Sequence, residues 1–333
     1  MKPRIFITQP VADSAIERLR AIADVELNPD SLHIVTKDEL LARVPDLDIL
    51  FCLLHDRIDR DVIAAGKRLR AIASMKITPS DIDVAEATAR RIPVTVIAPI
   101  VTEATADTHF ALLLAVARRV AEGDKLVRAG IFPGAQSAHL LGAWVFGKTI
   151  GLIGGGGRIG RAVARRAQGF SMRTLYWTPR RKPVSEEREA GLTYVPYDQL
   201  LSESDFVSVH APLTAETRHL VGERELGLMK PTAFLVNTAR GPVVDERALV
   251  RALTERRIAG AGLDVFENEP HVSPALLTMP NVVLTPHLGS AVKELREAMA
   301  NVVVDNIMAV LDGRQPPNCW NSEIYATPRA TAP

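Results

Sequence analysis

The sequence is poor in cysteine. Its 333 residues include only Cys52 and Cys319, which lie far apart in the chain. This number and spacing match neither a disulfide framework nor a cysteine-rich zinc site, so we expect no structural metal. Cys52 lies in the apolar run ILFCLL, which predicts a buried, unreactive thiol. Such cysteine usage is typical of a cytoplasmic protein.

The chain also lacks an excess of charge and a long apolar run. Its 40 Lys and Arg residues balance 39 Asp and Glu residues, whereas nucleic-acid-binding proteins usually carry a marked positive excess. No window holds the roughly 18 consecutive apolar residues of a membrane span. The apolar stretch at the N-terminus is too short for a signal peptide. We therefore expect neither a nucleic-acid nor a membrane partner, and the length favours two domains.

Apolar runs that are typical of strands alternate with helical patterns along the chain. Strands are predicted at 4–8, 48–54, 69–75, 93–98, 149–154, 173–178, 205–211, 233–239, 259–266 and 281–287. Helices are predicted at 13–23, 36–44, 108–130, 158–170 and 296–313. The alternation predicts an α/β fold with parallel sheets covered by helices. Thr36 and Glu39 have the spacing of a capping box. The last helix fits either domain, and we expect the polar tail from Arg314 to lie over the surface.

The segment TIGLIGGGGRIG, residues 149–160, places four consecutive glycines between a predicted strand and a predicted helix. Gly155, Gly157 and Gly160 match GxGxxG. The glycines of that motif make a tight turn, let backbone approach a pyrophosphate and let the helix pack close to the strand. The N-terminus of the helix would offer N–H groups and a partial positive charge to the phosphates. The segment therefore predicts dinucleotide binding, with Gly154 as an alternative for the first position.

The end of the next predicted strand indicates which dinucleotide is preferred. A carboxylate there would bind the adenosine ribose of NAD, but RTLYWT ends at Thr178 without Asp or Glu. Arg180, Arg181 and Lys182 follow, and a basic cluster at that place could pair with a 2′-phosphate. The sequence therefore favours NADP as the preferred cofactor, with NAD as the alternative. A solvated basic loop is the other interpretation of this cluster.

Several motifs occur together in one order over the second half of the chain. They include GKTIGLIGGGGRIGRAVARRAQGF, VSVHAPLTAETRHLV, LMKPTAFLVNTARGPVVDERAL, GAGLDVFENEP and NVVLTPHLGSA. On these motifs the sequence resembles the D-isomer-specific 2-hydroxyacid dehydrogenases, over nearly its whole length. CLLHDRID (52–59) and the ending VLTPHLGSAVKELREAMANVVVDNI are most similar to the glyoxylate/hydroxypyruvate reductases of that family.

The resemblance implies two Rossmann-like or flavodoxin-like domains with an active site in the cleft between them. Residues 1–99 plus 294–333 would form a discontinuous substrate-binding domain, and 100–293 a Rossmann dinucleotide-binding domain. The protein would be a homodimer. It would reduce a small, anionic 2-oxo acid to the D-2-hydroxy acid with NAD(P)H.

The resemblance also implies three catalytic residues, Arg240, Glu269 and His287. Arg240 would grip the carboxylate of the 2-oxo acid and polarise the adjacent carbonyl. His287 would donate a proton to the substrate oxygen as the hydride arrives. Glu269 would orient the imidazole and favour its charged form.

Other predicted site residues come from the same motifs. The predicted cofactor contacts are Gly155, Gly157, Arg158, Ile159, Gly160, Thr178, Arg180, Arg181, His210, Ala211, Pro212, Thr217, Thr238, Ala239, Asp264, His287 and Gly289. The predicted substrate contacts are Leu54, Lys76, Ile77, Arg240 and His287. Asp264 would accept the nicotinamide amide, and the His210 side chain could instead be packed at the end of a strand.

The chain departs from the family in the loop that binds the substrate carboxylate. The usual pattern resembles GxGxDNID, but this chain has SMKITPSDIDV (74–84), and APIVTEATADTHF (98–110) lacks the usual glycine. Lys76 would add a positive charge facing the substrate, as in the phosphite-oxidising branch of the family, unless it faces solvent. The alternatives are therefore an enzyme for another anion, either 2-ketogluconate or phosphite, or a dinucleotide-sensing regulator without catalysis.

Overall fold

The computed structural model of the chain describes residues 2–326, which divide into two compact units. Within the described residues, the first unit consists of 2–100 and 292–326, and the second of 101–291. Each unit is built around a parallel sheet with helices. The predicted α/β fold with two Rossmann-like units is confirmed.

The first unit contains a five-stranded sheet. Its strands are β1 (Arg4–Ile7), β2 (Asp24–Leu27), β3 (Ile49–Cys52), β4 (Ala71–Ser74) and β5 (Val94–Thr95). The order is β2-β1-β3-β4-β5, and every pairing is parallel. The helices between the strands are α1 (Asp13–Ile22), α2 (Lys37–Arg43), α3 (Arg60–Ala65) and α4 (Val84–Ala89). The predicted capping box is present, since the Thr36 side chain and Glu39 bond reciprocally at the start of α2.

The second unit contains a seven-stranded parallel sheet. Its strands are β6 (Thr149–Ile153), β7 (Arg173–Trp177), β8 (Thr193–Tyr194), β9 (Phe206–Val209), β10 (Phe234–Asn237), β11 (Gly260–Leu263) and β12 (Val282–Leu284). The order is β12-β11-β10-β9-β6-β7-β8. The strand order therefore reverses beside β6, and ligands of open parallel sheets bind at the carboxyl ends of the strands at such a point.

The helices of the second unit differ from the prediction at one place. They are α5 (Thr102–Ala117), α6 (Val120–Arg128), α7 (Arg158–Gly169), α8 (Val184–Ala190), α9 (Tyr197–Glu203), α10 (Glu223–Leu228), α11 (Glu246–Thr254) and α12 (Pro274–Thr278). The single helix predicted over 108–130 is wrong, because Arg119 has a left-handed φ of 56° that separates α5 from α6. The carbonyl of Ala117 accepts a hydrogen bond from the N–H of Ala143 instead of continuing a helix.

The last helix, α13 (Lys293–Leu311), packs in the first unit, which answers a question that the sequence left open. Arg18 of α1 forms an ion pair with Asp305 at 2.7 Å. The tail beyond α13 does not simply cover the surface, because Asn321 is 1% exposed and bonds to Val94 and Ile92. Residues 327–333 of the predicted surface tail lie outside the described residues.

Cys52 is fully buried, as predicted, and burial raises the pKa of its thiol to about 12. Across residues 2–326, no helix is both long and apolar enough to cross a membrane. In the same part of the chain, no cluster of three or more His, Cys, Asp or Glu side chains could hold a metal ion.

Candidate active site

The glycine segment forms the turn from β6 to α7. Gly154 has a left-handed φ of 82°, and a Cβ there would lie 2.8 Å from the backbone of His210 and Ala211. Both observations require glycine at this position. A Cβ on Gly160 would lie 2.5 Å from the Cα of Gly155, so the helix packs directly on the turn. Gly154 therefore makes the tight turn, a role for which the sequence offered Gly154 and Gly155 as alternatives.

This turn fits the phosphates of a dinucleotide. Gly157 is the N-cap of α7 and has no side chain with which to cap the helix. The first N–H groups of α7, which begins with Arg158 and Ile159, thus point toward a site for an anion. At the end of β10, the Thr238 hydroxyl is buried without a hydrogen-bond partner among the described residues. A polar ligand beside it would satisfy that hydroxyl.

The basic loop after β7 is held by a buried carboxylate. Arg181 donates from Nε and Nη2 to the two carboxylate oxygens of Glu187, each at 2.8 Å. Glu187 is 5% exposed and also accepts from the Tyr176 hydroxyl at 2.7 Å. These bonds lower the pKa of Glu187 to about 2, with Arg181 as the largest cause. The Thr178 hydroxyl donates to the carbonyl of Arg180 in the same loop.

Arg240 lies at the end of a turn that follows β10. The buried Asn237 shapes this turn, since its side chain donates to the carbonyl of Arg240 at 3.1 Å and accepts from the N–H of Ala239 at 3.0 Å. Gly241 follows, and a Cβ there would lie 1.7 Å from the carbonyl oxygen of Phe266. The backbone that carries Arg240 thus contacts the segment that leads to Glu269.

His287 and Glu269 form the predicted pair. The Nδ1 atom of His287 lies 2.9 Å from Oε2 of Glu269, and both side chains are about four-fifths buried. Glu269 also accepts from the N–H of Phe266 at 3.0 Å through Oε1. With one carboxylate oxygen held by backbone and the other on the ring, the imidazole has a defined orientation.

Asp264, at the end of β11, holds the loop that carries His287. Its carboxylate accepts from the Thr285 hydroxyl at 2.6 Å, the N–H of Leu288 at 2.6 Å and the N–H of Gly289 at 2.8 Å. The side chain is 1% exposed. Sequence reasoning missed this anchoring role, because the three donors follow Asp264 by more than twenty positions. Its predicted contact with the nicotinamide amide stays a prediction.

The side chain of His210 is packed at the end of β9 rather than extended. Its Nε2 lies 2.7 Å from the Ser208 hydroxyl, which also lies 3.1 Å from Nδ1 of His109 in α5. Burial lowers the pKa of His210 to about 3. Burial, and then the neighbouring His210, lower the pKa of His109 well below 6.5. Both rings are therefore neutral at physiological pH.

The loop after β9 is held by its own side chains. The Thr217 hydroxyl donates to the carbonyl of Pro212 at 2.6 Å and accepts from the N–H of Thr214 at 2.7 Å. The loop begins at Ala211, beside Gly154 of the glycine turn. Thr217 thus shapes this loop from within, and its predicted cofactor contact stays a prediction.

The predicted substrate residues of the first unit lie at the carboxyl ends of its strands. Leu54 follows β3, and Lys76 and Ile77 follow β4. Lys76 is 4% exposed, and its ammonium donates to the carboxylate of Asp81 at 2.9 Å and to the carbonyl of Asp56 at 3.3 Å. The alternative that Lys76 faces solvent is therefore wrong, and Asp81 balances its charge.

Comparison with known proteins places this geometry in context. Residues 110–289 match the family model described as D-isomer specific 2-hydroxyacid dehydrogenase, NAD binding domain. A glyoxylate reductase from Thermococcus litoralis is 46% identical over 331 residues, which cover 98% of this chain and 99% of the relative.

Two solved structures are similar over almost the full length. A protein from Thermus thermophilus is 43% identical with a TM-score of 0.87, and the match covers 95% of this chain and 99% of that one. An NADPH-dependent glyoxylate/hydroxypyruvate reductase from Sinorhizobium meliloti, in complex with citrate, is 33% identical with a TM-score of 0.76. That match covers 96% of this chain and 97% of the relative.

Proposed function

This chain belongs to the D-isomer-specific 2-hydroxyacid dehydrogenases, and on that premise we propose that it reduces glyoxylate or hydroxypyruvate to the D-2-hydroxy acid. The chain is an oxidoreductase that uses a nicotinamide dinucleotide. The observation that carries the proposal is the hydrogen bond between His287 and Glu269, on a loop anchored by Asp264. The similarity to the two reductases from Thermococcus litoralis and Sinorhizobium meliloti supports the same substrate class.

His287 is the proton donor in this proposal. The nicotinamide, when bound, supplies a hydride to C2 of the substrate. The proton comes from Nε2 of His287, the ring nitrogen opposite the bond to Glu269, and it neutralises the developing alkoxide. The carboxylate of Glu269 stabilises the charged imidazole before the transfer.

Arg240 binds the substrate carboxylate in this proposal. A guanidinium can grip a carboxylate with two parallel hydrogen bonds, which also fixes the orientation of the adjacent carbonyl. The turn made by Asn237 and the glycine after Arg240 hold the backbone of this residue in place. Leu54, Lys76 and Ile77 are further proposed substrate contacts.

We assign residues 1–99 plus 294–333 to substrate binding and 100–293 to dinucleotide binding. The reversed strand order beside β6 and the glycine turn support the second assignment. The preferred cofactor is NADP, supported by the absence of a carboxylate at the end of β7 and by the basic loop that follows. The two cysteines are both unpaired, which is typical of the cytoplasm.

The functional form is a homodimer in this proposal. Segment 120–146 of the second unit exposes seven large apolar side chains, namely Val120, Val127, Ile131, Phe132, Leu141, Trp144 and Phe146. Such a concentration of apolar surface on a soluble protein usually marks an interface. A second copy of the chain is the partner that we assign to it.

A substrate panel tests the proposed activity. Purified protein is assayed with NADPH or NADH against glyoxylate, hydroxypyruvate and 2-ketogluconate, and with NADP against phosphite. We expect the highest kcat/KM with glyoxylate or hydroxypyruvate. Turnover of phosphite alone, or of 2-ketogluconate alone, would replace the proposed substrate. Binding of the dinucleotide without turnover of any of these anions would favour a regulator.

A further inference from the structure

Arg181 and Lys182, two of the three basic residues in the loop after β7, have different surroundings. The guanidinium of Arg181 is engaged by both carboxylate oxygens of Glu187, and Glu187 is itself buried between Arg181 and the Tyr176 hydroxyl. Moving Arg181 toward a ligand would leave a buried carboxylate without its cation, which is costly. The charge of Arg181 is therefore already balanced by Glu187 inside the protein.

Lys182 is placed differently. Its backbone N–H donates to the Tyr176 hydroxyl at 2.9 Å, which fixes the start of the side chain. Its stem lies across Gly156, since Cγ and Cε would each be 2.9 Å from a Cβ on that glycine. Gly156 is buried, and it belongs to the turn that receives the phosphates of the cofactor. The side chain of Lys182 thus runs along the face of the turn where the dinucleotide would bind.

We propose that Lys182, rather than Arg181, supplies the cation that contacts the 2′-phosphate of NADP. Arg181 is a positioning residue that anchors the loop through Glu187. An ammonium on an unbranched stem reaches a phosphate as a point charge, and its hydrogen bonds are charge-assisted. This inference rests on the NADP preference proposed above and assigns that preference to one side chain.

Nucleotide fragments test the assignment without turnover. Isothermal titration calorimetry measures the Kd of 2′,5′-ADP and of 5′-AMP, which differ only in the 2′-phosphate, for the wild type, Lys182→Met, Lys182→Arg and Arg181→Met. Methionine preserves an unbranched stem over Gly156 and removes the charge. We expect Lys182→Met to weaken 2′,5′-ADP binding about tenfold or more, with 5′-AMP binding changed less than threefold. Lys182→Arg should recover most of the affinity.

Arg181→Met is the matched comparison. We expect it to lower the Tm and to change the ratio of the two Kd values less than threefold, and Arg181→Lys should recover part of the Tm. The assignment is overturned if Lys182→Met leaves the 2′,5′-ADP affinity unchanged, if it weakens 5′-AMP binding equally, or if Arg181→Met produces the larger loss in the ratio.

The wild-type measurement separates this inference from the proposal beneath it. A wild type that binds 2′,5′-ADP no tighter than 5′-AMP refutes the NADP preference and with it the assignment. A wild type that prefers 2′,5′-ADP, combined with an unchanged Lys182→Met, refutes the assignment alone.

Discussion

The α-carbon of Gly241 faces the carbonyl oxygen of Phe266 so closely that a Cβ would lie 1.7 Å from it. One of these residues follows Arg240, and the other precedes Glu269 by three positions. The contact therefore joins the two backbone segments that carry the proposed carboxylate-binding and histidine-orienting residues. A Cβ this close to a backbone carbonyl oxygen could be accommodated only by moving one of the segments.

We predict that Gly241→Ala separates these segments. It should lower the free energy of unfolding by about 2 kcal/mol or more, and it should lower kcat/KM as well. Gly227→Ala is the matched control, because nothing lies within 4 Å of a Cβ at this position in α10. The control should be neutral or stabilising by up to about 1 kcal/mol. Urea denaturation of both variants measures the change in the free energy of unfolding. Equal changes for Gly241→Ala and Gly227→Ala would contradict the prediction.

We predict that His287→Asn lowers kcat by a factor of about 10² to 10⁴, because the change removes the proposed proton donor. Glu269→Gln retains a hydrogen-bonding group beside the ring but removes its charge, so it should cause a smaller loss of kcat. Neither change should alter the Kd of the dinucleotide more than a few-fold. Steady-state kinetics and a dinucleotide titration measure both quantities. A His287→Asn enzyme within threefold of the wild-type kcat would exclude His287 as the donor.

We predict that Asp264→Asn destabilises the loop that carries His287. The carboxylate now accepts hydrogen bonds from three donors, and the amide would place an NH₂ group against one of them. This should lower the free energy of unfolding by about 1–3 kcal/mol. The loss of kcat should accompany the loss of stability. Asp24→Asn is a control at an exposed position of β2, where the change should stay within about 0.5 kcal/mol. An Asp264→Asn protein with unchanged stability would show that the anchoring role is misassigned.

We predict that His109 makes the stability depend on pH. The folded protein keeps this buried ring neutral, whereas the unfolded chain protonates it below a pKa of 6.5. The unfolded state then binds more protons, so stability falls as the pH falls through 6.5, by up to about 1.4 kcal/mol per pH unit.

His109→Gln should reduce this dependence and leave the part that arises from His210, whose pKa is lowered to about 3 by burial. The free energy of unfolding is measured by urea denaturation from pH 7.5 to pH 5 for the wild type, His109→Gln and His139→Gln. His139 is exposed, and its replacement serves as the control that removes a histidine without emptying the core. Parallel curves for the wild type and His109→Gln would argue against the buried neutral ring.

We predict that charge in the exposed apolar segment 120–146 separates the proposed dimer. Phe132→Glu combined with Trp144→Glu places two carboxylates where side chains are 76% and 74% exposed. Light scattering after size-exclusion chromatography should then give the mass of one chain, and the wild type twice that mass. Leu32→Glu, at a 91% exposed leucine outside the segment, should retain the wild-type mass. A wild type with the mass of one chain would remove the dimer from the proposal.

Local patterns in the sequence were sufficient for most of the architecture. Strand-like apolar runs predicted ten of the twelve strands found within residues 2–326, because buried parallel strands read as continuous apolar segments. The two that were missed, β2 and β8, lie at the outer edges of their sheets, where one side of the strand stays unpaired. The glycine turn was also predictable, since a strand, a glycine run and a helix adjoin in sequence.

The sequence by itself therefore determined the two parallel sheets, the turn for the phosphates and the residue types of the candidate site. Only the tertiary structure decided which charged groups already have a partner inside the protein. Arg181 pairs with Glu187, Lys76 pairs with Asp81, and Asp264 accepts hydrogen bonds from the loop that it anchors. The break between α5 and α6 at Arg119 also depends on tertiary structure. The N–H of Ala143 donates to the carbonyl of Ala117, which would otherwise accept a bond that extends the helix. Periodicity reports which face of an element is buried, whereas the partner of a charged side chain depends on the path that the backbone takes after each strand.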